Sequence, residues 1–124
     1  VSWRVALLAS CAGLAVVTNA MPGANAAGVS AVTRLQVVED EWRATPSRTR
    51  ARPGTLSIEV VNIGEDDHNL VVARAGGGPR ATSGTLRPGD RVKISVRARR
   101  GTYKLLCSIS DHAERGMRSK IRVR

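Results

Sequence analysis

Apolar residues at every second position constrain this chain more than any other feature. Leu35 and Val37 share one face of a candidate strand, and Leu56, Ile58 and Val60 share another, with Ser57 and Glu59 opposite. His68, Leu70 and Val72 form a third such face. Val92, Ile94 and Val96 alternate with Lys93, Ser95 and Arg97. Tyr103, Leu105 and Cys107 are in phase, and Ile121 and Val123 alternate with Lys120, Arg122 and Arg124. A period of two sends successive side chains to opposite faces of a strand, so the pattern specifies half-buried β-strands. Beyond the N-terminal segment no stretch carries a helical stripe.

Turn signals separate these runs. They are Pro53-Gly54, Asn62-Ile63-Gly64, Gly76-Gly77-Gly78-Pro79, Arg87-Pro88-Gly89-Asp90 and Arg100-Gly101. Short strands at this spacing predict an all-β domain, an antiparallel sandwich or barrel. The stretch from Arg43 to Arg52 is rich in arginine and reads as a solvated connection with a short edge strand. With 124 residues the chain has room for one domain, and such a domain has little stability to spare. It has no Phe, so the core must come from Val, Leu, Ile and Ala, with Trp42 and Tyr103.

The first residues have a different character. Arg4 precedes an uncharged apolar run from Ala6 to Val17, and Ala24-Asn25-Ala26 offers the small-x-small pattern of a signal-peptidase site. We therefore expect a helical export leader over residues 1–26 and the folded domain over 27–124. Two rival fates are a lipidated Cys11, since Leu8-Ala9-Ser10-Cys11 matches a lipobox, and an uncleaved signal anchor. Each implies an exported location, whether periplasmic, extracellular or at the cell surface. Loss of the leader would leave Cys107 without a second cysteine. An unpaired cysteine in an exported domain signals reactivity, intermolecular pairing or metal binding.

The chemistry gathers around that cysteine. In CSISDHAERGM, residues 107–117, a thiol, an imidazole and a thioether stand on one short loop between two candidate strands. Such a loop returns the chain, so Cys107, His112 and Met117 can converge at one end of a sandwich. This donor set suits a borderline-to-soft metal, copper before zinc, and not magnesium or calcium. A trigonal site of two imidazoles and one thiolate with a weak axial thioether needs one more histidine. His68, after the Asn62–Asp67 turn, is the only other one.

The arrangement resembles the cupredoxins, the type 1 or blue copper proteins, over nearly all of residues 27–124. The resemblance rests on Asn62-x-Gly64, His68-Asn69-Leu70-Val71-Val72, Pro88-Gly89, Gly101-Thr102-Tyr103, Cys107, His112 and Gly116-Met117. It implies a Greek-key β-sandwich with one copper ion held by His68, Cys107, His112 and Met117. It implies that Asn69 and Ser108 tie the two ligand segments together and tune the thiolate. It also implies one-electron transfer between Cu(I) and Cu(II), with His112 as a partly exposed ligand offering the electron its way out. A copper carrier or storage protein using the same site is the alternative. Many relatives with this loop length have Pro and Gly where Ser110 and Asp111 stand, and Asp111 would bring a carboxylate toward the copper and His112.

Plainer readings exist for each residue. Cys107 could be a buried small hydrophobe, His68 a turn residue, Met117 core filler, and Asn69 and Ser108 ordinary turn formers. No Ser-His-Asp set, carboxylate pair or phosphate-cradling loop points to an enzyme. The formal net charge is +10, and the leader holds only one of the cations, Arg4. That charge could steer a redox partner with an acidic docking face or hold the protein at an anionic membrane surface. Nucleic acid fits poorly, because no aromatic stacking set accompanies the arginines. A monomer is expected.

Overall fold

The computed structural model describes residues 30–124. The export leader, its cleavage site and Cys11 lie outside the described residues.

Nine strands form two sheets. Strands β1 (Val32–Asp40), β2 (Arg43–Pro46), β4 (Gly54–Asn62) and β7 (Arg91–Ala98) make one, in the order β2-β1-β4-β7. Strands β3 (Arg50–Ala51), β5 (Val71–Arg74), β6 (Arg80–Thr82), β8 (Gly101–Leu106) and β9 (Arg118–Val123) make the other, in the order β3-β9-β8-β5-β6. A short helix, α1 (His112–Arg115), lies between β8 and β9.

The alternating residues meet between the sheets. Val37, Leu56, Ile58 and Val60 from the first sheet and Leu70, Val72, Tyr103, Leu105 and Ile121 from the second are all fully buried. Each such aliphatic side chain contributes roughly 1.5–3 kcal/mol by leaving water. Tyr103 brings a polar tip into this core, and its hydroxyl accepts a hydrogen bond from the Arg99 amide at 2.9 Å. Val92 and Ile94 are only half-buried, so the β7 edge of the core is thinner than its alternation implies.

The structure departs from expectation at three places. The sheets are mixed, because β1 pairs with β4, and β3 with β9, in parallel. The connection from Arg43 to Arg52 carries two short strands, β2 beside β1 and β3 beside β9, so it supplies an edge to each sheet. His68 is in phase with Leu70 and Val72 but precedes the strand; β5 starts at Val71, and His68 makes only an isolated bridge to Leu86. Its freedom from a ladder lets its ring serve the end of the sandwich.

Candidate metal centre

Two loops and one turn at the same end of the sandwich build the site. The first loop follows β4. Asn62 is fully buried, and its Nδ2 donates to the carbonyls of Asp66 (2.8 Å) and Leu86 (2.9 Å). Its Oδ1 accepts from the Gly64 amide at 2.9 Å. An asparagine side chain standing in for backbone in this way closes a turn. The turn delivers His68, whose backbone pairs with Leu86 in both directions, N–H to carbonyl at 3.0 Å and carbonyl to N–H at 2.7 Å.

The second loop runs from β8 to β9. The Cys107 amide donates to the Met117 carbonyl at 3.0 Å, and the Met117 amide donates to the His112 carbonyl at 3.0 Å. The backbone itself therefore ties the three residues together. α1 is a single turn, too short to show a helical stripe. It ends at Gly116, whose φ of 131° suits glycine, and a Cβ there would stand 2.8 Å from the Trp42 carbonyl. Gly116 thus lets the β1–β2 turn close over the loop.

His68, Cys107 and His112 come together. One donor atom from each lies within 4.8 Å of the others, and all three residues are buried. His68 Nδ1 is 3.2 Å from His112 Nδ1, and Cys107 Sγ is 3.6 Å from the same nitrogen. Two donors each about 2.0–2.3 Å from a shared ion stand about 3.5–3.8 Å apart in a near-trigonal arrangement. The Cys107–His112 spacing falls in that range and the His68–His112 spacing is slightly shorter, so a small outward shift of one imidazole would admit a single ion. A thiolate with two imidazoles suits copper. Met117 is fully buried beside them, and its backbone is bonded to both Cys107 and His112.

Asn69 and Ser108 face each other across the two ligand segments. The Ser108 amide donates to Asn69 Oδ1 at 2.7 Å, and Asn69 Nδ2 donates to Ser108 Oγ at 2.9 Å. Residues directly following His68 and Cys107 are thus fastened to one another.

His112 keeps 8% exposure, whereas His68 and Cys107 have none. Trp42 stands against His112, and Arg115 places its guanidinium 4.2 Å from the centre of the Trp42 ring. Asp111 turns outward, because Arg115 one helical turn on offers a partner at 2.9 Å. That hydrogen bond, together with the Arg115 charge, holds the Asp111 carboxyl below the usual carboxylate range. The expectation of a carboxylate bonded to His112 is therefore corrected: Asp111 bonds Arg115 and acts on the imidazole only through its charge.

Three residues in or beside the β1–β2 turn escape sequence reasoning. Trp42 was a candidate core residue, yet it lies half-buried in the β1–β2 turn with φ 65°. Beside it, Glu41 Oε1 accepts from the amides of Glu65 (2.7 Å) and Asp66 (3.0 Å) and lies 3.4 Å from His68 Nε2. The Asp66 amide, foremost among these contacts, lowers the Glu41 carboxyl to about 2 against the opposing cost of burial. Glu39 is fully buried, neither of its carboxylate oxygens has a partner among the described residues, and burial pushes it up to about 7. It continues the inward phase of Leu35 and Val37, the one signal that marks it.

No family model and no curated protein matches the chain. Solved structures do. An auracyanin from the photosynthetic bacterium Roseiflexus castenholzii aligns with a TM-score of 0.63 at 20% identity, over 74% of this chain and 97% of that one. Auracyanin A, a "blue" copper protein from Chloroflexus aurantiacus, aligns at 0.61 and 17% identity, over 76% of this chain and all (100%) of its own. Rusticyanin from Thiobacillus ferrooxidans aligns at 0.57 and 17%, over 75% and 77% of the two chains. The domain has the cupredoxin fold, and its buried His₂Cys cluster fits a type 1 copper site.

Proposed function

We propose that this chain is an exported blue copper protein that carries single electrons. The observation behind this reading is the convergence of His68, Cys107 and His112 donor atoms within 4.8 Å, in a buried position, on the cupredoxin fold. Bound copper would supply the redox couple, Cu(I) and Cu(II). His68, Cys107 and His112 would hold it, with Met117 as a weaker thioether donor.

The chain's own contribution is rigidity and exclusion of water. His68 is fixed by its bridge to Leu86, Cys107 and His112 by their backbone bonds to Met117, and the two segments by Asn69 and Ser108. A donor set locked this way has little to rearrange when charge changes. The same burial disfavours the carrier reading, since His68 and Cys107 are 0% exposed and a metal must leave to be handed on.

The electron's way out runs past His112 and Trp42, and the partner would meet this end of the sandwich. Arg43, Arg115 and Arg118 are exposed there, each beside an acid of this chain (Asp40, Asp111 and Glu114), and an acidic docking face on a redox partner would compete with those surface pairs. The leader pattern supports export, and no second copy is needed to complete the site.

A kinetic experiment separates shuttle from carrier. The copper-loaded chain is reduced and reoxidised repeatedly in the presence of a Cu(I) chelator. The shuttle reading expects full cycling with copper retained. Transfer of Cu(I) to the chelator on reduction supports the carrier.

A further inference from the structure

The β1–β2 turn brings a carboxylate to the back of one candidate ligand. His68 is fully buried, and its two ring nitrogens face different neighbours. Nδ1 points to the donor cluster, 3.2 Å from His112 Nδ1, while Nε2 lies 3.4 Å from Glu41 Oε1. Glu41 is not free to wander. Its Oε1 also accepts the Glu65 and Asp66 amides at 2.7 and 3.0 Å, from the loop that delivers His68.

Gly64 supplies an independent observation. Its φ lies outside the left-handed region, so its conformation does not demand glycine. Space does: a Cβ at Gly64 would stand 2.3 Å from Glu41 Oε1 and 2.9 Å from His68 Nε2. The backbone leaves room for this one contact.

We propose that Glu41 is a positioning residue for His68, fixing its tautomer and biasing the bound copper toward Cu(II). The proposal rests on the copper reading above. A ring N–H given to a carboxylate leaves the other nitrogen's lone pair for the metal and makes it a stronger donor. A stronger donor, with a negative charge behind it, favours the more highly charged oxidation state. The effect is a lowered reduction potential, set by a residue 27 positions before the ligand it acts on.

The test uses the full chain and its Glu41→Gln variant. Gln keeps an oxygen for the Glu65 and Asp66 amides, so the loop is preserved while the charge is lost. After copper loading, the expected outcome is an unchanged thiolate-to-copper band with a raised potential. A tenfold fall in the preference for Cu(II) reads as about 59 mV for a one-electron couple. An unchanged potential with an intact spectrum overturns the proposal and leaves Glu41 as a loop fastener. Metal-free protein gives a second readout, by nitrogen-15 NMR of the His68 ring. The Nε2–H tautomer is expected in the wild-type chain, and the Nδ1–H tautomer contradicts the proposal. Failure of the copper reading shows itself separately, as no thiolate-to-copper band in the wild-type chain; the tautomer then decides whether Glu41 positions His68.

Discussion

Trp42 stands edge-on to His112, with ring centroids 5.0 Å apart and planes at 79°. This relationship partly covers a candidate ligand, and His112 keeps 8% exposure. The Arg115 guanidinium lies over the same ring, so Trp42 contacts both an imidazole and a cation.

Replacing Trp42 with Ala removes an aromatic pair worth about 0.5–1.5 kcal/mol and a cation–π contact worth about 0.5–1 kcal/mol. Denaturant unfolding of the metal-free chain is expected to show a loss of about 1–2.5 kcal/mol from these contacts. The copper colour should persist, because the donor set is intact. Bleaching by a small hydrophilic reductant should become faster as His112 opens further to solvent.

Two glycines make a paired prediction. Gly64→Ala places a Cβ against Glu41 and His68 and should weaken metal binding by roughly tenfold or more, as loss of an outer partner does. Gly76→Ala has open space but φ of 81°, so it should cost about 1–2 kcal/mol of stability and leave metal affinity alone. Titration with a metal probe beside thermal unfolding separates the two effects.

Asn69→Ala removes the two short bonds to Ser108 together with a longer Ser108 Oγ contact to Asn69 Oδ1 at 3.3 Å. At roughly 0.5–1.5 kcal/mol per hydrogen bond, a loss of about 1–3 kcal/mol is expected by denaturant unfolding. The fastening between the two ligand segments also goes, so copper should be released to a competing chelator more readily than from the wild type.

Glu39 makes stability depend on pH. Its carboxyl is raised to about 7 in the fold, so the native state keeps a proton that the unfolded chain releases above its ordinary value of 4.5. The unfolded state binds fewer protons between these values, so stability falls as pH rises from about 4.5 to about 7 and then levels. The displacement corresponds to a penalty on the order of 3 kcal/mol at neutral pH. In the metal-free chain, Glu39→Gln should remove this part of the slope. A slope identical to the wild type's contradicts the buried carboxyl as its source.

The strands were legible because water touches one face of each. Leu56, Ile58 and Val60 could only alternate with Ser57 and Glu59 if one side was core, and all three are fully buried. Strand direction leaves no such mark, which is why the parallel pairing of β1 with β4 was not foreseen. The His68, Cys107 and His112 cluster was legible from scarcity, since the domain offers no other histidine or cysteine. Glu41 and Trp42 were not, because their roles depend on a turn crossing to loops far along the chain. A tryptophan at positive φ and a buried, unpartnered glutamate both break local rules, so local rules could not find them. The Asp111–Arg115 pair was available as a helical i,i+4 spacing, but only once α1 was known to exist.

The most direct measurement is the visible and EPR spectrum of the chain loaded with Cu(II), beside Cys107→Ser. A type 1 site predicts an intense thiolate-to-copper charge-transfer band and a narrow copper hyperfine splitting, with the colour lost in Cys107→Ser. A wild-type spectrum without that band, or a band that survives in Cys107→Ser, contradicts the account.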